Sequence, residues 1–205
     1  MKETRPYNAL LRRQNSEATR RRIVDMALEM IREQPNNAVT HDGIAERTGI
    51  ARRTIYNHFP FRDLLLEAVW KECQRLLGLS DYPETERHLL ESVQSTFRRM
   101  DENASLVKGV LSQNAGEEVW HLNDERRRSG LVKALKCATS HLSNDERSRV
   151  NGVFLTLQSA RTWETMRDQA KLKDGEPSQA VVWAMQTMLG ALYEQKKLKK
   201  EGRHI

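Results

Sequence analysis

Cysteine is nearly absent. The chain has two in 205 residues, Cys73 and Cys137, far apart and without CxxC spacing, which excludes a disulfide framework and a zinc ribbon. Long apolar runs are missing too: "AVVWAM" at 180–185 falls far short of the roughly 18–20 residues that a membrane-spanning helix needs. The opening "MKETRPYNALLRRQ" lacks the apolar stretch of a secretory signal, so a soluble, cytoplasmic protein without membrane partners is expected. There is no GxSxG, no P-loop and no dinucleotide fingerprint, and Cys137 has no activating base in view. Neither catalysis nor a cofactor is expected. Glu117 and Glu118 precede His121 by four and three residues, a spacing that places them on one helix face. With no second ligand pair they read as a solvated face and not as a metal site.

What is present is length and a divided charge. A chain of 205 residues buries a proper core, as one domain or two small ones. The net charge is +6. Residues 1–62 contribute +5 and the tail from Lys196 contributes +4, whereas the stretch between them is −3. Basic clusters confined to the ends attract polyanions, although a charge run is also the ordinary composition of a solvated surface.

Apolar periodicity gives an all-α reading. Ile23, Val24, Ala27, Leu28, Met30 and Ile31 recur at helical spacing over 17–33, and Pro35, Asn36 and Asn37 end that helix. Thr40 is a natural N-cap for a second helix, with Asp42 near its positive end. Gly49 ends it after about two turns. Ile55 and Phe59 mark the buried face of a third short helix closed by Pro60, and Arg62 opens a fourth with the stripe Leu65, Leu66, Val69, Cys73 and Leu76. Two short helices around a tight turn, braced by an amphipathic helix in front, form a helix-turn-helix, with Ile44, Ala45, Ile50, Ile55 and Phe59 as its small core. Arg52, Arg53, Thr54, Tyr56, Asn57 and His58 are left on the outer side of the third helix. Arg bonds guanine O6 and N7 in bidentate fashion and Asn does the same for adenine, while Thr, Tyr and His suit phosphate oxygens. Double-stranded DNA is the expected partner. Arg12, Arg13, Arg20, Arg21 and Arg22 precede or open the first helix, where two readings stand level: cations that enter a minor groove or rest on phosphates, or a disordered tail that serves only solubility.

The segment "THDGIAERTGIARRTIYNHFPFRDLLLEAV" at 40–69, with Thr40, "IAERTGI", "TIYNHF" and the pair Arg62 and Leu65, resembles the N-terminal DNA-binding domain of the TetR family of bacterial regulators. The resemblance implies that Thr40, Tyr56, His58 and Arg62 hold phosphates. It also implies a homodimeric regulator, usually a repressor, on a palindromic operator. Three positions depart from the family pattern: Ala51 and Phe61 stand where the family commonly has hydroxyl caps, and Arg53 replaces a common glycine. Lost caps cost about 0.5–2 kcal/mol each, and Gly43 inside the second helix costs roughly 1 kcal/mol more against alanine. A locally soft reading head that orders on DNA is expected.

The expected division is a basic arm at 1–16, the three-helix DNA-binding domain at 17–62, a larger helical ligand-binding and dimerisation domain at 63–197, and a basic tail at 198–205. Helical segments are expected at 84–101, 104–113, 117–142 with a break near Asn123, 145–172 and 178–197. The last two are apolar on two faces, which calls for a second copy as well as the chain's own core; Val153, Ala160, Val182, Leu189 and Tyr193 are the expected dimer contacts. Met100, Leu111, Trp120, Phe154 and Trp163, with His121 and Arg161 as polar handles, are candidates for an effector pocket, though each taken singly reads first as ordinary core and Arg161 has Glu164 nearby as a pairing partner. The effector is unknown. Control by a protein partner, or no effector at all, is the alternative, and an enzyme with a DNA-binding head has no motif behind it.

Overall fold

The computed structural model describes residues 5–78, 82–113 and 124–202, which form ten helices and no strand. In chain order these are α1 (Arg5–Glu33), α2 (His41–Thr48), α3 (Arg52–His58), α4 (Arg62–Leu76), α5 (Glu86–Glu102), α6 (Ala104–Leu111), α7 (Asp124–Leu135), α8 (Asn144–Leu157), α9 (Ala160–Asp168) and α10 (Glu176–Lys200). The protein is all-α, as the periodicity predicts. Its helices form two compact units, and the division is not linear in sequence: the first unit holds the chain through Gln74 and takes α6 back from Ser105 onward, while the second holds the rest.

In the first unit the stripe Ile23, Val24, Ala27, Leu28 and Ile31 of α1 is almost wholly buried, together with Ile44, Ile55, Phe59, Leu65, Leu66, Val69 and Cys73. Helix α2 packs on α1 and α3, and α3 packs on α1. Ala45 and Ile50, expected in this core, are half-buried, and Leu76 at the end of the α4 stripe is exposed. Burial pushes the Cys73 thiol up to about 12, so it stays protonated and behaves as a small apolar side chain.

Two features of this unit depart from the sequence reading. Helix α1 begins at Arg5, so there is no extended arm over 5–16. The segment is rich in good helix formers, including Leu10, Leu11, Arg12, Arg13 and Gln14, and Arg13 pairs with Glu17 at 3.1 Å, the four-residue spacing that supports a helix. Pro6 falls in the first turn, where its missing N–H is not needed. A helix is about 10–12 Å across and the minor groove about 6 Å wide, so Arg12 and Arg13 do not thread a groove as an arm would. The second departure is α6: a Cβ at Gly109 would stand 2.5 Å from Ile31 Cγ2 and 3.1 Å from the Ile31 carbonyl oxygen. Only glycine lets α6 lie this close to the end of α1.

In the second unit α5 packs along α10, α9 rests on both, and α7 packs on α5 and α8. Asp101 ties these elements together. Its carboxylate, 6% exposed, accepts from Trp163 Nε1 at 2.8 Å and from the Gly175 backbone N–H at 2.9 Å, and it pairs with Arg167 at 3.2 Å. The helix expected over 145–172 is two helices. Ser159 interrupts it by accepting from the Thr162 N–H at 3.1 Å, which makes a new N-cap for α9. The expected helix at 117–142 falls partly outside the described residues, and its described part is α7, followed by turns.

Gly109→Val is expected to destabilise the protein by about 1–3 kcal/mol through overpacking, read as a lower urea midpoint. An unchanged midpoint would show that α6 does not seat against Ile31.

Candidate nucleic-acid interface

The reading head is built from the turn outward. Thr40 is in an extended conformation, and its hydroxyl accepts from the Gly43 N–H at 3.1 Å, the N-cap expected of it. A Cβ at Gly43 would lie 3.0 Å from Met30 Cε and 3.2 Å from the Thr40 hydroxyl, so a larger residue there would press on the methionine tip and on the cap. At the other end Gly49 takes φ of 70° and donates its N–H to the Ala45 carbonyl at 2.9 Å, a left-handed stop that glycine adopts without strain. Thr48 closes the corner, donating to the Ile44 carbonyl at 2.7 Å and accepting from the Ile50 N–H at 3.2 Å.

Helix α3 has only seven residues, and an isolated helix of that length is not stable in water. Its C-terminal end is held from outside. Arg20 donates to the His58 carbonyl at 3.0 Å and lies over the Phe59 ring at 4.2 Å; His41 Nε2 donates to the Phe59 carbonyl at 2.8 Å. Arg22 does the same for α2, reaching the Thr48 carbonyl at 2.7 Å. These two α1 arginines, read from the sequence as DNA contacts, are exposed and bond the frame of the head. At its N-terminal end α3 has no such help, since Ala51 provides no side-chain cap.

The sequence-predicted residues of α3 separate by exposure. Ile55 and Phe59 are wholly buried. Arg52, Arg53, Tyr56 and Asn57 are exposed, and Thr54 and His58 are half-buried at the edges. Positions 52, 53, 56 and 57 follow one helical face, so four of the six expected groups share an open side. Arg52 also pairs with Asp42 at 3.1 Å, an exposed ion pair between α2 and α3.

Arg62, for which the resemblance implies a phosphate contact, makes several bonds within the chain. Its guanidinium, half-buried, donates to the Val39 carbonyl at 3.0 Å, to the Gln113 carbonyl at 2.9 Å and to Gln113 Oε1 at 3.2 Å. Gln113, 3% exposed, follows α6 and accepts from the Val39 N–H at 2.9 Å while donating to the Asn37 carbonyl at 3.0 Å. Sequence reasoning passed over both Gln113 and His41. No periodicity marks a glutamine that bonds residues more than seventy positions away.

The other expected sites are placed as follows. Met100, Phe154 and Trp163 are buried in the second unit, and Leu111 is buried at the end of α6 in the first. The Trp163 indole N–H goes to Asp101. Arg161 is exposed and bonds Glu164 at 2.8 Å. Trp120 and His121, like Glu117 and Glu118, lie outside the described residues. Of the expected dimer contacts, Val182 and Leu189 are buried within the chain itself, at 8% and 7% exposure, because α10 packs against both α5 and α9. Ala160 is half-buried. Val153 and Tyr193 are exposed, the Tyr193 hydroxyl donating to Glu86 at 2.6 Å, a bond that raises its pKa. Trp183, passed over in the sequence, is 69% exposed.

The bare N-terminus of α3 gives a direct test. Ala51→Ser supplies the missing cap and is expected to add about 0.5–2 kcal/mol, raising the melting temperature and slowing amide exchange in the first turn of α3. No gain in either would mean that the α3 amides are already satisfied.

No curated protein matches the chain at significant similarity. Residues 23–69 match the family model described as bacterial regulatory proteins, tetR family, a stretch running from the buried stripe of α1 through α2 and α3 to Val69 in α4. The match identifies residues 23–69 as a DNA-binding domain of the tetR type, which implies a DNA-binding transcriptional regulator.

Proposed function

We propose that the chain is a homodimeric, sequence-specific repressor that sits on a palindromic operator and is released from it by a small-molecule effector. The observation that carries this reading is the open side of α3, where Arg52, Arg53, Tyr56 and Asn57 stand together on a short helix held at its far end by Arg20 and His41. In this reading Arg52 and Arg53 bond guanine and Asn57 bonds adenine in the major groove. Thr40 and Tyr56, with Thr54 and His58 at the edges, take phosphate oxygens. Arg20, Arg22 and Arg62 keep the head in shape.

The second copy is supported by α10. Trp183 and Gly190 are seven residues apart on one helical face, exposed in the single chain, and nothing stands within 4 Å of where a Cβ on Gly190 would be. A large ring and an open glycine on one face suit a self-complementary, two-fold contact. Two heads related by that axis address half-sites about one helical turn apart or a multiple of it. Coupling of about 1–3 kcal/mol between an effector and the head is enough for control.

In vitro selection from random duplex DNA at physiological salt is expected to enrich a palindrome, and Arg53→Ala is expected to weaken binding to it by about 1–3 kcal/mol while relaxing preference at one position. Binding that is only salt-sensitive and without sequence preference would reject the repressor reading and favour control by a protein partner. Trp183→Glu is expected to leave the fold intact and turn a dimer in light scattering into a monomer; a dimer that persists would place the contact elsewhere.

A further inference from the structure

His41 is a buried imidazole to which the proposed function gives only the far end of α3 to hold, yet it also lies under an exposed aromatic ring of the reading head. It opens α2 directly after the Thr40 cap and is 7% exposed. Its ring stacks on that of Tyr56, with centroids 4.5 Å apart and planes within 6°. Its Nε2 is 2.8 Å from the Phe59 carbonyl oxygen. A carbonyl only accepts, so Nε2 carries the proton, and the plane of the imidazole is set by a bond to the C-terminal end of α3. An aliphatic side chain of similar size would fill the same space, but it would neither bond Phe59 nor offer a flat face.

Tyr56 has the opposite character. It is 47% exposed, and an exposed phenol loses rotamer freedom when it orders on a ligand. Stacked on a ring that is itself hydrogen-bonded, the phenol has that freedom removed before DNA arrives. The same helix end that His41 holds also carries Arg20, on the His58 carbonyl and over the Phe59 ring. Tyr56 thus stands on a support fixed from two elements, α1 and α2.

We infer that His41 is a positioning residue for DNA binding, holding the Tyr56 phenol in the orientation in which its hydroxyl meets a backbone phosphate. This rests on the proposed DNA contact of Tyr56. His41 itself touches no nucleic acid in this arrangement: it supplies preorganisation, and with it affinity that depends on the Tyr56 hydroxyl being present.

The test uses the full chain and a labelled duplex of random sequence at low salt, because phosphate contacts operate on any sequence. Tyr56→Phe, His41→Leu, His41→Phe and the double variant His41→Leu with Tyr56→Phe are titrated, each with its melting temperature measured. His41→Leu is expected to weaken binding by about two- to tenfold, the range of an aromatic pair, and to abolish the penalty of Tyr56→Phe. His41→Phe, which keeps the flat face, is expected to recover part of the affinity. In the free wild-type protein the Tyr56 ring protons, assigned by their loss in Tyr56→Phe, are expected to be shifted upfield by the imidazole, a readout that needs no substitution at His41. An equal penalty for Tyr56→Phe in both backgrounds, or the absence of the upfield shift, overturns the inference and leaves the Tyr56 contact standing. Absence of any penalty for Tyr56→Phe in the wild-type background overturns the contact and its positioning together.

Discussion

Short helices cannot satisfy their own ends, and the reading head of this protein depends on how that deficit is met. The last four carbonyls of any helix have no partner within it. In α2, with eight residues, and α3, with seven, those carbonyls are half of the element or more. At the very end of each helix the donor comes from another helix: Arg22 serves Thr48 and Arg20 serves His58, while His41 serves Phe59 just beyond α3. Hydrogen bonds from charged donors contribute about 1.5–3 kcal/mol where water is kept away, and that of Arg22 is partly sheltered. The open side of α3 remains free for recognition because its stability is supplied at its far end.

The same principle governs the loop ahead of α2. Residues 34–40 make no helix, so their backbone groups need partners from elsewhere. Gln113 provides them with both ends of one amide, accepting from Val39 and donating to Asn37, while Arg62 closes the remaining carbonyl of Val39. A fully satisfied buried network of this kind specifies one register among several that apolar packing alone would allow. Gly109 sets how near α6 approaches, and Gln113 sets where along the loop it is fastened.

The helix-turn-helix was legible because everything that defines it is local. The Thr40 cap, the Gly49 stop and the spacing of Ile44, Ile55 and Phe59 fall within twenty residues and agree with one another. What stayed hidden is long-range. In one dimension Arg20, Arg22 and Arg62 look like Arg52 and Arg53, cations on a polar face, and only tertiary structure shows which guanidinium bonds a backbone carbonyl. The α8–α9 break did leave a trace. Phe154, Leu157, Ala160 and Trp163 recur at strict intervals of three, and on a straight helix each such step drifts about 60° around the axis, so four of them do not share a face. Val182 and Leu189 are buried within the chain for a related reason: a helix apolar on two sides requires two neighbours, and α5 and α9 of the same chain pack against it.

Helix α1 continues well past the head it braces. From Arg20, where it holds α3, to its start at Arg5 it runs fifteen residues, about 22 Å at 1.5 Å per residue. Over that length a rigid rod works as a lever. A small tilt at the α3 end becomes a displacement several times larger at the other, and the cations Arg12 and Arg13 ride on the moving part. Their distance from any surface below therefore reports the angle of the head, so that a change of orientation too slight to disturb packing around Ile23 and Ile55 is magnified where the charge is.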